Sequence, residues 1–131
     1  MKKNLMATRI LAVFLTVLCL APRAMSAPSL KALIVTGQNN HNWPVSSPVI
    51  KIMLEDTGLF AVDTAISPKE GQDMSGFTPK FADYSVVVLD YTGDNWPEAA
   101  RKAFVDYVSN GGGVVVVHAA DNAFPDWPEY N

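Results

Sequence analysis

Two hydrophobic regimes alternate along this chain, and they predict its elements. Short, nearly continuous apolar runs end in glycine or polar residues, as strands buried on both faces do. "LKALIVTG" (residues 30–37) is the first such run. "LFAVDTAIS" (59–67) alternates more, with one polar face, which places it near a sheet edge. "YSVVVLDY" (84–91) and "GVVVVHA" (113–119) are the third and fourth strands. Between the first two, "SPVIKIMLEDTG" reads as a helix with Ser47 as N-cap, Pro48 at its first position and Gly58 as its stop. Val49, Ile52 and Met53 would form its buried face, with Leu54 at the margin. "WPEAARKAFVDYVSN" is a second helix, opened by Pro97, closed by Gly111, with Ala100, Phe104, Tyr107 and Val108 inward. Residues 68–80, with two prolines, two glycines and mixed charges, read as a loop.

Strands that alternate with helices predict an α/β domain, a parallel sheet with helices on both faces. A flavodoxin-like three-layer arrangement with strand order 2-1-3-4 follows from the crossover rules. The chain ends about a dozen residues after the fourth strand, with no helix in between to cover it. Residues 27–131 are therefore expected to be the N-terminal part of a larger domain, incomplete at the C-terminus. Uncovered valines on the fourth strand would also favour association into a homo-oligomer.

Composition changes this picture at the N-terminus. Lys2, Lys3 and Arg9 precede the apolar run "ILAVFLTVLCLA" (10–21), then Pro22 and the small residues Ala24 and Ser26. This is the pattern of a signal peptide over residues 1–26, cleaved near Ser26 or Ala27, and it predicts an exported, periplasmic or extracellular protein. Twelve apolar residues reach only about 18 Å as a helix, short of the ~30 Å hydrocarbon core that an uncleaved anchor would cross. Cys19 is no lipoprotein cysteine, because Leu18 stands where a small residue is needed. Cleavage removes Cys19, the single cysteine, and with it any disulfide or thiol nucleophile. The remainder carries six basic and thirteen acidic residues, a formal charge of −7. No basic run or aromatic-basic interleaving is present, which excludes nucleic acid as a partner.

Ligands of open parallel sheets bind outside the carboxyl ends of the strands, where the strand order reverses. Here the tips of strands 1, 3 and 4 should be neighbours, and they are the unusual parts of the chain. They read "GQNNHNWP", "DYTGDNWP" and "HAADNAFPDWPEYN". All three tryptophans and both histidines lie in them. Amides, carboxylates and indoles on one edge suit a carbohydrate ligand, with aromatic faces against sugar C–H surfaces. Gln38, Asn39, Asn40, His41, Trp43, Asp121, Asn122 and Trp127 are the candidate ligand-binding residues. Local roles compete: Asn and Asp form turns and caps, and Trp96 before Pro97 suits a hydrophobic staple. His118, at the end of an apolar run, is the candidate general acid or base, with Asp90 or Asp94 beside it. His41 and His118 with one of these carboxylates could coordinate a divalent cation, though no tight spacing of the H-x-E-x-H kind supports this. No other cofactor is expected. A flavin carrier is disfavoured, since neither glycine-bearing tip is a Ser/Thr-rich phosphate loop.

"KALIVTGQNNHNW", "VVVLDYTGDNWP" and "GGGVVVVHAADNAFPDWPEYN" resemble the ThuA-like (trehalose utilisation) family over nearly all of residues 30–131. The resemblance implies the fold of class I glutamine amidotransferases, in which the strand before a sharp elbow ends in a nucleophilic cysteine. His118 and Ala119 hold that place here, so cysteine-dependent amide hydrolysis is excluded. The resemblance further implies action on carbohydrate, by hydrolysis or elimination on a glycoside or 3-keto-glycoside. A sugar-oxidising dehydrogenase would be a pathway partner. His118 would be acid or base, Asp90 or Asp94 its orienting or second carboxylate, and Trp43 and Trp127 the stacking walls. The alternative is a non-catalytic sugar-binding module using the same edge.

Overall fold

The computed structural model describes residues 30–131; the expected signal peptide and its cleavage point lie outside them. Strand β1 (Leu30–Thr36) is followed by helix α1 (Trp43–Glu55) and strand β2 (Phe60–Ile66). A long connection with one 3₁₀ turn at Phe81–Asp83 leads to β3 (Val86–Leu89). Helix α2 (Glu98–Ser109), strand β4 (Gly113–Val116) and a 3₁₀ turn at His118–Asn122 complete the order. The four strands form one sheet in the order β2-β1-β3-β4, and every pairing is parallel. The α/β class, the strand order and the edge position of β2 are as the sequence predicts. Among the described residues no helix is long and apolar enough to cross a membrane.

The period-2 alternation of β1 divides the core between the two faces of the sheet. Ala32 and Ile34 join Val62 and Val88 on one face, under Ile50 and Leu54 of α1. Leu33 and Val35 join Val87 and Leu89 on the other, under the aromatic side of α2 and the segment after β4. Trp96 is the hub of that second core, with ring centroids of Phe124, Tyr91, Phe81, Phe104, Phe77 and Trp127 at 5.0–6.0 Å. A core residue with this many aromatic neighbours is more than a helix staple, which settles its role.

Helix α1 departs from the sequence reading at its start and on its buried face. It begins at Trp43, with Asn42 as N-cap and Pro44 near its first position, four residues before Pro48. The Asn42 carbonyl accepts from the amides of Val45 and Ser46, which starts the helix early. Ser47 is consequently not a cap but a buried residue of the helix facing the sheet. That earlier start rotates the packing face onto Ser47, Ile50 and Leu54, and leaves Val49, Ile52 and Met53 at least half exposed. In α2, Ala100, Phe104 and Tyr107 are buried, but Val108 is 45% exposed. The valine run is likewise only partly covered, with Val115 at 49% and Val116 at 44% exposure on the outermost strand.

The glycines ahead of that run have separate tasks. Gly111, at φ +88°, stops α2 in the left-handed region that favours glycine. A Cβ on Gly112 would enter the ring of Tyr107, whose hydroxyl donates to the Gly113 carbonyl at 2.8 Å. The triplet thus lets α2 fold tightly back into β4, and β4 delivers its end beside β3.

Candidate functional site

Parallel pairing of β1, β3 and β4 brings their carboxyl ends to one edge, and the three loops there are bonded to one another. The Thr92 amide donates to the Gln38 carbonyl at 2.9 Å, and the Thr92 hydroxyl donates to the Ala119 carbonyl at 2.6 Å. Thr92 therefore ties all three tips together.

His118 does not end the strand as an extended residue. It opens the 3₁₀ turn with φ +36°, an uncommon value for a residue with a side chain. The Val117 amide still pairs with the Leu89 carbonyl at 2.9 Å, so the backbone turns sharply at His118. Ala119 and Ala120 are buried behind it, whereas His118 itself is exposed. The elbow aims the imidazole across the edge at the loop after β1. His41 Nε2 lies 3.1 Å from His118 Nδ1, with the two rings at 68° to each other. A positive φ at a residue with a side chain costs backbone energy and persists only where the surrounding structure holds it.

His41 is fixed from below. Its amide donates to Asn39 Oδ1 at 2.9 Å, and Asn39 Nδ2 donates to Asp90 Oδ1 at 2.9 Å. Asp90 is 2% exposed. Its other oxygen accepts from the hydroxyls of Ser46 and Ser47, each at 2.7 Å. Among the described residues no cation pairs with Asp90; neutral donors compensate its burial. The carboxylate thus joins the first turn of α1 to the loop that carries His41. It is no second carboxylate at the reacting edge, because its oxygens are spoken for within the fold.

Asp94 is engaged differently. Its Oδ2 accepts from the Gly71 amide at 2.6 Å and from Gln38 Nε2 at 3.3 Å, while its own amide donates to Gln38 Oε1 at 2.7 Å. Gln38 Nε2 also donates to the Pro68 carbonyl at 2.8 Å. Asp94 and Gln38 therefore clamp the long 67–85 connection against the sheet edge. The sequence expectation of Asp94 as partner to His118 is corrected by this clamp. Nearby, burial first and then the charge of Asp94 push the Tyr91 phenol well above its ordinary value, so it stays a neutral donor to the Asp94 carbonyl at 2.7 Å.

A cleft of about 420 Å³ opens at the loop after β1, the loop that also carries His41. Gln38, Asn39, Asn40 and Trp43 line it from the β1 side, Thr92 from the β3 side, and Lys69 and Glu70 from the long connection. Four of the expected ligand-binding residues thus meet in one place; His41 follows Asn40 in the same loop, but neither it nor His118 lines the cleft. Lys69 and Glu70 had no signal beyond a charged loop between Pro68 and Gly71. Larger hollows lie elsewhere; the one of about 740 Å³ is at residues 79–85 and 103–112, away from the histidines.

Three expected residues go elsewhere. Trp127 is 3% exposed, with Phe104, Phe124 and Tyr130 at 5.3–5.9 Å and the Arg101 guanidinium over its ring. Its faces are covered, so it is core and no stacking wall. Asp121 lines a different hollow with Val114, Val116 and Tyr130, and accepts from Asn122 Nδ2 at 2.7 Å. Neither reaches the cleft. Among the described residues no group of three or more His, Cys, Asp or Glu could hold a metal ion, so the set of two histidines with Asp90 or Asp94 does not form.

Comparisons with known proteins extend this geometry. None of the curated proteins matches the chain. Among solved structures, a ThuA-like protein from Parabacteroides merdae is 59% identical, with a TM-score of 0.76 over 79% of this chain and 37% of its own. A ThuA-like protein from Bacteroides uniformis is 30% identical, with a TM-score of 0.58 over 85% of this chain and 45% of its own. The chain thus spans less than half the length of these relatives. The family model for ThuA, described as trehalose utilisation, matches residues 31–131, which include every element of the sheet and the whole histidine edge. With that match across the described fold, the chain belongs to the ThuA family.

Proposed function

We propose that this chain acts on carbohydrate at the histidine edge, by elimination on a 3-keto-glycoside or by hydrolysis of a glycoside. The observation that carries the reading is the His41–His118 pair, 3.1 Å apart, on the same sheet edge as a cleft whose lining residue Asn40 directly precedes His41. The side-chain amide of Asn40 and the Trp43 indole offer the planar polar group and apolar wall that sugars take. The family's link to trehalose utilisation supports a sugar as ligand.

Elimination suits these residues better than acetal hydrolysis. Glycosidases place two carboxyl groups about 5–10 Å apart across the scissile bond. Asp90 and Asp94 are instead bonded into the fold. Two imidazoles can run an elimination without them. His118 takes the proton from the carbon beside the ketone, and the freed electron pair expels the glycosidic oxygen from the adjacent carbon. His41 supplies the proton that the departing oxygen takes up. His118 ends with the proton the carbon lost and His41 lacks the one it gave to the leaving oxygen, so a single proton transfer from His118 to His41 restores the pair. A sugar-oxidising dehydrogenase would supply the ketone, and the leader pattern would place the reaction outside the cytoplasm.

A panel of 3-keto-glycosides and parent glycosides, assayed with wild type and His118→Ala, tests this. The expected outcome is turnover that falls about 10²–10⁴-fold in the variant with sugar affinity unchanged. Binding of sugars without turnover by either protein would favour the alternative, a sugar-binding module built on the same amides.

A further inference from the structure

We infer that His41 and His118 form the protein half of a site for a borderline divalent transition metal such as Cu²⁺ or Zn²⁺. Two ring nitrogens that face each other at 3.1 Å need something between them, either one proton or a cation. Metal–imidazole bonds of about 2.0–2.1 Å spanning that separation meet at about 98°, between the octahedral and tetrahedral angles. Imidazole suits Zn²⁺ and Cu²⁺, and Cu²⁺ binds such nitrogen sites most tightly of the first-row divalent ions.

The scaffold is arranged for a metal as much as for a hydrogen bond. His41 is anchored through Asn39 to Asp90, an outer contact of the kind that orients metal-binding loops. His118 is turned toward it by a backbone at φ +36°, the same turn that buries Ala119 and Ala120 and leaves the His118 ring exposed. Among the described residues no third His, Cys, Asp or Glu completes the set. Two protein ligands are one fewer than the three of catalytic zinc sites, so the remaining positions would be filled by water or ligand oxygens. On binding, the proton between the rings moves to an outer ring nitrogen, and both inner lone pairs go to the metal. The metal-loaded and metal-free pairs are alternative states, and proton transfer by His118 belongs to the metal-free one. The inference itself does not depend on the sugar reading.

The test uses the full chain without a histidine tag, titrated with Cu²⁺ alone and with Zn²⁺ alone. Calorimetry reads stoichiometry, and electron paramagnetic resonance reads the ligands of Cu²⁺. The expected result is one equivalent of Cu²⁺ with nitrogen coupling from two imidazoles. His41→Ala and His118→Gly should each weaken binding by more than about tenfold, beyond what loss of an outer contact costs at the low end. Glycine suits the positive φ, so His118→Gly removes the ring without straining the turn. Stoichiometric binding that persists in the double variant, or no binding by wild type at micromolar metal, overturns the inference. Turnover enters neither outcome, so this result and the sugar assay can fail separately.

Discussion

At the residue scale, Asp90 has the most consequence for the site although it is remote from its surface. Its carboxylate collects Asn39, Ser46 and Ser47, and the first of these fixes the backbone of His41. Hydrogen bonds to a charged acceptor contribute about 1.5–3 kcal/mol each, and buried donors left without partners cost more than the bond was worth. Asp90→Ala should therefore lower stability by about 3 kcal/mol, read as a shift of the urea midpoint at unchanged m-value. A loss under about 0.5 kcal/mol, the range of ordinary surface changes, would mean that these bonds are not made in solution. Sequence reasoning placed Asp90 at the carboxyl edge of the sheet, and the structure has it directly after β3. Which way the carboxylate faces depends on Ser46 and Ser47 of a helix that starts five residues earlier than its sequence pattern predicts, and no local signal carries that.

At the element scale, β3 and β4 look alike in sequence and differ in the structure. Both are runs of valine and leucine with parallel pairing. β3 lies between two strands and under helices, so Val87 and Leu89 are buried to 1% exposure or less. β4 has a neighbour on one side, and Val115 and Val116 remain almost half exposed. Leu89→Ala should cost about 2–5 kcal/mol through lost burial and a residual cavity. Val115→Ala should cost under about 1 kcal/mol, since little of its surface leaves water on folding. Denaturant unfolding of the two variants side by side checks the difference. Equal losses would show that β4 is covered in solution.

At the scale of the whole molecule, the second core is largely aromatic, and its tyrosines make the fold sensitive to alkali. Burial, then the charge of Asp121, pushes the Tyr130 phenol up to about 12. Burial is also the main cause of the raised values of Tyr91, Tyr107 and Tyr84. A raised phenol holds its proton more tightly folded than unfolded. Its contribution to stability is therefore complete below the unfolded-chain value of about 10. It is lost as pH rises through about 12, the value for Tyr130. Phenolate absorbance should therefore rise together with loss of near-ultraviolet circular dichroism, in one transition above pH about 10. Phenols that titrate at their ordinary value with the fold intact would contradict the packing around Trp96.

The sequence by itself determined the α/β class, the strand order, the edge that carries the polar tips and the presence of both histidines there. These follow from periodicity, from glycine and proline punctuation and from crossover rules, all of which act over short stretches of chain. Only the tertiary structure decided which polar side chains face the cleft and which close the fold. Trp43 and Trp127 each sit in a W-P pair, yet one lines the cleft and the other is sealed by Phe104, Phe124 and Tyr130. Asp90 and Asp94 stand four residues apart on one tip, and each is bonded to a different distant segment. The meeting of His41 with His118, 77 positions along the chain, arises from parallel register and one left-handed turn. Side-chain facing is set by whatever long-range neighbour arrives to meet it, and that neighbour is not written in the residues on either side.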